Sequence, residues 1–124
     1  ILDWIEEIGD KYGAKQQFFR NEKNASALPP DTQLPLEPYY YEQGKKKGNN
    51  LRLYCIRINE HVVILLNGGI KSTKKAQYCP NVSASFELAN KLAKAIEKSL
   101  HKNDIEWSDE ELDIFYDENL EINF

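Results

Sequence analysis

The chain predicts an α+β fold: a small antiparallel sheet with a central hairpin over 51–66, and an N-terminal helix and a helix over 84–100 packed against it. Three observations carry this. Leu51-Arg-Leu-Tyr-Cys-Ile-Arg-Ile58 and Val62-Val-Ile-Leu-Leu66 are rich in β-branched and aromatic residues and are separated by only Asn59-Glu60-His61, a turn short enough to force antiparallel pairing. Leu88, Leu92 and Ile96, with Ala89 and Ala93, repeat at helical spacing, and Lys91, Lys94 and Lys98 fall on the other side. Leu2, Ile5, Ile8 and Tyr12 repeat similarly at the start of the chain.

Taken in order, the first helix is expected over 2–12, with Gly13 as its stop, and one or two further turns over 14–20. Asn21 to Asn50 is the least regular stretch. It holds four of the five prolines and Tyr39-Tyr40-Tyr41, a possible edge strand, followed by Gly44-Lys-Lys-Lys-Gly48, which reads as a solvated loop. No strand is visible before residue 39. Both faces of both strands in 51–66 carry apolar residues, so the hairpin is expected to be central and covered on both sides. Asn67-Gly68-Gly69 ends it, and a glycine pair there implies positive φ or a close backbone approach. Pro80 interrupts the chain before the long helix, which Ser83 or Ser85 is placed to cap. In the acidic stretch that follows, Leu112 with Ile114 and Leu120 with Ile122 and Phe124 alternate as strands do, so a short helix or turn is expected at 108–112 and a terminal strand.

A chain of 124 residues suits one domain, here residues 1–124 with an acidic C-terminal extension over 102–124. The first residue is Ile1 and the chain contains no methionine, so residues preceding Ile1 are expected. The longest apolar run, Val62 to Leu66, is far below the ~20 residues of a membrane span. No secretory signal is visible, and Cys55 and Cys79 make no disulfide framework. They read as free thiols in a reducing compartment, which implies a cytoplasmic location. With two histidines and no zinc-ligand spacing, neither a metal site nor a cofactor is expected.

Net charge is −4, but it is unevenly distributed. Between Gln43 and Tyr78, eight basic residues face Glu60 alone, a local charge of +7; from His101 to Phe124, nine acids face Lys102, a local charge of −8. The first region attracts polyanions and the second repels them.

Any chemistry is expected between Leu51 and Tyr78. Strand alternation sends Arg52 and Tyr54 to one side and Arg57 to the other, so the two arginines cannot serve one site. Lys71, Lys74 and Lys75 follow the glycine pair, and Tyr78 closes the loop. Clustered ammonium groups suit a phosphate, and a lysine among them suits general-base work. These residues with Arg52 are the candidate catalytic set, and Lys45, Lys46, Lys47 and Tyr54 the candidate RNA-binding set. Gly68-Gly-Ile-Lys-Ser-Thr lacks the spacing of a phosphate-cradling loop. His61, in a turn, reads as exposed.

This order of helix, variable loop, Arg-bearing strand, tight turn, Val-Val-Ile-Leu-Leu, Gly-Gly-Ile-Lys-Ser-Thr-Lys-Lys and closing helix resembles the RelE/ParE/HigB toxin superfamily, and most of all its HigB and phage Gp49-like branch. The likeness spans roughly Phe18 to Leu100 and is strongest over Leu51 to Tyr78. It implies a RelE/ParE-like fold and a toxin of a toxin–antitoxin pair. Such a toxin would be a metal-independent, ribosome-dependent mRNA endonuclease, with a cognate antitoxin, mRNA and the ribosome as partners. Arg52 would face the scissile phosphate, Lys71 with Lys74 or Lys75 would supply the basic groups, and Tyr78 would stack on a base or move a proton. The superfamily also contains gyrase-poisoning members, so a non-catalytic protein-binding module on the same scaffold, or a phage accessory domain, is the competing expectation. The acidic extension and the proline-rich segment depart from the family pattern.

Overall fold

The computed structural model describes residues 2–30, 39–48, 51–71 and 79–124. Helix α1 (Leu2–Glu7) runs into a π-helical turn (Ile8–Tyr12) and then a 3-10 turn (Gln16–Phe18). Strands β1 (Arg20–Glu22), β2 (Ala25–Leu28), β3 (Tyr39–Glu42), β4 (Lys45–Gly48), β5 (Leu51–Arg57) and β6 (Val63–Ile70) follow, then helix α2 (Ser83–His101). Strand β7 (Ile105–Trp107), a 3-10 turn (Asp109–Glu111) and β8 (Ile114–Tyr116) complete the order.

The principal sheet has four antiparallel strands in the order β1-β2-β5-β6. The fold class stands, with two corrections. A β1–β2 hairpin occupies the region where no strand is visible in the sequence, and among the described residues the 51–66 hairpin is only half central: β5 lies inside the sheet and β6 is its edge. Apolar residues on both faces of a strand report what covers it above and below, and say nothing about its lateral neighbours. The return strand also continues through Gly68 and Gly69 to Ile70. The β1–β2 turn is held from α2: Asn90 Oδ1 accepts from the backbone N–H of Asn24 and Ala25 at 2.7 and 3.2 Å, while Asn90 Nδ2 donates to Phe86 O at 2.9 Å.

Helix α2 covers one face of the sheet. Ala25, Ala27, Tyr54 and Ile56 meet Phe86, Ala89, Ala93 and Ile96, all buried, and the Tyr54 and Phe86 rings pack edge-on at 6.1 Å. Alanines on both sides let helix and sheet approach closely. The buried stripe is therefore rotated from the one read in the sequence; Leu88 is exposed and Leu92 only partly covered. Val82 occupies the N-cap position, and no side chain caps it. The other face is covered by the N-terminal segment, where Trp4, Ile8, Ala14 and Phe18 pack with Leu28, Leu53 and Val63. Its buried pair is Trp4 and Ile8, one turn apart, while Leu2 is 81% exposed. Gly13, at φ 73°, stops the helix as expected, its N–H donating to Ile8 O at 2.8 Å.

Strands β3 and β4 form a separate two-stranded ribbon, with Tyr41 opposite Lys46, so Lys45–Gly48 is a strand instead of the expected loop. Strands β7 and β8 pair antiparallel around the 3-10 turn expected at 108–112. The expected late strand forms at Ile114–Tyr116, whereas residues 117–124 have no regular structure. The extension nevertheless belongs to the core, with Ile105 buried and Ile114, Leu120 and Ile122 packed on the cluster beneath α2. No helix among the described residues is long and apolar enough to cross a membrane.

Candidate functional site

The β5–β6 register sets the geometry of the candidate site. Arg52 lies opposite Gly69, and Leu51 opposite Ile70, so Lys71, the next residue, emerges at the end of the sheet where β5 begins. Two residues of strand separate Gly69 from Lys71, about 7 Å. The glycines permit this closeness. A Cβ on Gly68 would overlap the carbonyl oxygen of Arg52, and one on Gly69 would lie 2.9 Å from Asn81 O and 3.3 Å from Val82 Cγ1, where α2 begins. Of the two meanings a glycine pair carries, close approach is the one realised.

Arg52 and Tyr54 share the α2-facing side of β5, and both are buried, at 8% and 0% exposure. Arg52 Nη1 donates to Leu51 O at 2.8 Å. The expectation placed the arginine against a phosphate and Tyr54 on an RNA-binding surface; both side chains lie covered in the folded chain. Helix α2 starts against Gly69 and covers that face, and the register of a helix on a sheet is not written in either element alone. Arg57 projects to the other face, as alternation requires, and its Nε donates to Ala14 O.

Two residues unnoticed in the sequence join the Arg52 side. Arg20 and Glu22, opposite Ala27 and Ala25, lie on the α2-facing side of β1. Burial pushes the Tyr54 hydroxyl up to about 12, and the Glu22 carboxylate adds to the rise; Arg52 and Arg20 oppose it, while Cys79 reinforces it. Tyr54 therefore keeps its proton at neutral pH. Arg20 reaches Pro29 O and Pro30 O, each at 3.4 Å. Only the hairpin made these two residues recognisable, because alternation has no meaning until β1 is known to be a strand.

Lys71 is half-buried. Lys74, Lys75 and Tyr78 lie outside the described residues. Lys45, Lys46 and Lys47 belong to β4, in the separate ribbon. His61 is exposed in the β5–β6 turn, where Asn59 Oδ1 accepts from the His61 and Val62 N–H groups at 2.8 and 2.9 Å. At that end of β5, Asn59 Nδ2 donates to Glu111 O at 2.8 Å. This fixes the acidic turn of the extension seven residues, about 23 Å of strand, from Arg52. Among the described residues, no group of three His, Cys, Asp or Glu side chains is disposed to hold a metal.

The thiols of Cys55 and Cys79 are fully buried, and burial pushes Cys55 up to about 12. Because the thiolate is the reactive form, the folded protein at pH 8 should leave both thiols unmodified by a disulfide reagent over minutes. Both should react at once in denaturant. Rapid native labelling of either would show that the core is open there.

Comparisons with family models, with curated proteins and with solved structures return no match.

Proposed function

We infer that this chain is a toxin-like, metal-independent endoribonuclease of a toxin–antitoxin pair, acting where β5 begins and β6 ends. The observation that carries the reading is the pairing of Arg52 with Gly69. It gathers Arg52 and Lys71 at one end of the sheet, while the acidic turn of the extension is tied to Asn59 at the other. In-line attack by a ribose 2′-hydroxyl on its neighbouring phosphate builds negative charge on the phosphoryl oxygens, and a cation already in place lowers that barrier. Lys71 is the described residue suited to this contact. Arg52, buried behind it, contributes positive potential from inside the sheet, and Tyr54 is a structural neighbour. Lys74, Lys75 and Tyr78 join this site on the strength of sequence order alone.

The purified chain should cut messenger RNA in the presence of ribosomes, and Lys71→Ala should slow cutting by about 10²–10³. Induced expression should arrest growth, and a cognate antitoxin should relieve the arrest. Intact transcripts in the ribosome assay would overturn the nuclease reading.

The burial of Arg52 and Tyr54 favours one alternative, a non-catalytic protein-binding module on the same scaffold. Growth arrest that survives Lys71→Ala, with transcripts uncut, would mark that case.

A further inference from the structure

The hairpin of β7 and β8 turns one face inward and leaves the other uncovered. Ile105 is buried and Ile114 packs with it on the cluster beneath α2, so alternation points Glu106 and Phe115 the opposite way. These two are direct cross-strand partners, and both are exposed, Phe115 at 60%. A lone exposed ring needs no explanation; the surroundings set this one apart. Glu106 stands about 5 Å away across the strands. Asp113 and Asp117 lie two residues to either side along the chain, about 7 Å, and both are exposed. Among the described residues the only ion pair is Lys11 with Glu7, so none of the three carboxylates is neutralised within the chain. The aspartates are positioned by local backbone: Oδ1 of Asp113 accepts from the Ile114 N–H and Oδ1 of Asp117 from the Asn119 N–H, each at 2.8 Å. The second oxygen of each carboxylate is left open to a ligand. From Asn103 to Phe124 there are nine acids and no base. The nearest bases along the chain, Lys98, His101 and Lys102, belong to α2 and its cap, and α2 packs against the inner face. The β5–β6 turn, tied to Glu111 O through Asn59, brings Glu60 and His61 to the turn end of the hairpin.

An aromatic face among unpaired carboxylates suits one kind of side chain. A planar guanidinium can lie over the ring while its fork of donors reaches a carboxylate on either side. A lysine ammonium gains from the same charge but neither stacks nor forks. A polyanion is repelled, and an apolar partner would strip water from carboxylates it cannot satisfy. We propose that the outer face of the β7–β8 hairpin binds an arginine-bearing segment of a partner protein, one guanidinium resting over Phe115 between Glu106 and the flanking aspartates. The assignment does not rest on the nuclease reading, since the extension is tied to the sheet at Asn59, away from Lys71.

The test uses three fluorescein-labelled nonapeptides and the full chain. One alternates serine with arginine, the second has lysine in place of each arginine, and the third has glutamate there. The arginine peptide should bind about threefold more tightly than the lysine peptide, and the glutamate peptide should not bind. Phe115→Leu, which keeps an apolar side chain but removes the ring, should make the arginine and lysine peptides equal. Glu106→Gln with Asp113→Asn and Asp117→Asn should weaken the arginine peptide about tenfold. The asparagines keep the Oδ1 acceptor and all three positions are exposed, so circular dichroism and the melt should match the parent. Asp109→Asn with Glu118→Gln and Glu121→Gln removes the same charge elsewhere in the extension and should change binding by less than about twofold. Equal losses in the two triple variants would mean diffuse attraction, and an arginine preference that survives Phe115→Leu would mean that the ring takes no part; either overturns the proposal. So does an arginine peptide that fails to bind the parent. A dimer of the free chain that the first triple variant dissociates overturns it too, because the face would then hold a second copy.

Discussion

Gly68→Ala should be the most damaging single methyl group that can be added to this protein. The new Cβ would occupy the position of the Arg52 carbonyl oxygen and lie 2.7 Å from its carbonyl carbon. The obstacle is backbone, so no rotamer change relieves it; β6 must move off β5, which breaks the ladder at the register that brings Arg52 and Lys71 together. A loss of about 3–5 kcal/mol is expected, the range of severe core changes. That corresponds to roughly 12–20 °C in Tm for a domain of this size. Gly9→Ala is the internal comparison. A Cβ there meets nothing within 4 Å, so the substitution should be neutral or slightly stabilising, within about 1 kcal/mol. Gly69→Ala should fall between them, because Asn81 O at 2.9 Å and Val82 Cγ1 at 3.3 Å belong to a helix start that can yield. Thermal melts of the three variants decide the matter. A Gly68→Ala melt within a few degrees of the parent would mean that the two strands are not so closely apposed, and the juxtaposition of Arg52 with Lys71 would be lost with it.

What the chain disclosed about itself follows from where its free energy is written. Strands β5 and β6 and helix α2 are long and periodic, and their side chains announce which face is covered. The β1–β2 hairpin makes no such announcement. Arg20-Asn-Glu22 is polar, and Ala25-Ser-Ala-Leu28 is built from small residues because α2 must come close, so the requirement of packing removes the hydrophobic signal. Trp4 escaped notice for a related reason: Leu2, Ile5, Ile8 and Tyr12 have helical spacing, but the π-helical turn at Ile8–Tyr12 changes the period, and the buried pair is Trp4 with Ile8. Lys45–Lys47 read as a loop because lysine and glycine are poor strand formers, a preference that pairing with Tyr39–Glu42 overrides. In the extension, charge hid the sparse apolar residues, Ile105, Leu120 and Ile122, that attach it to the core. The candidate site was legible to the same degree. The order of the hairpin foretold that the glycine pair would return beside the start of β5, and Gly69 does lie opposite Arg52, but the burial of Arg52 depends on where α2 begins to cover the sheet, and no local pattern fixes that.

The second large effect should appear on the alkaline side. Tyr54 rises from its ordinary 10.0 to about 12 and Cys55 from 9.0 to about 12, burial being the leading cause for each. A raised acid pKa means that the unfolded chain gives up its proton first as pH increases. Below pH 9 both states hold both protons and the contribution to stability is complete; between 9 and 12 the unfolded state is progressively favoured. Each tenfold difference in proton affinity between the two states is worth about 1.4 kcal/mol. The two groups together therefore withdraw several kcal/mol as pH rises through this range, a large share of the stability of a small domain. Urea unfolding followed from pH 8 to 11 should show a midpoint that falls beyond pH 9 and more steeply beyond 10. Tyr54→Phe should remove the later part of the fall. Among the described residues its hydroxyl has no hydrogen-bond partner, so at pH 7 the variant should be as stable as the parent or more so, whereas Tyr54→Ala should lose about 3–5 kcal/mol to the cavity beside Phe86. An alkaline slope unchanged in Tyr54→Phe and Cys55→Ala together would refute the assignment to these groups. The same phenylalanine variant tests the site: a tyrosine that holds the core can lose its oxygen with cleavage undiminished, while one that binds RNA through its hydroxyl cannot.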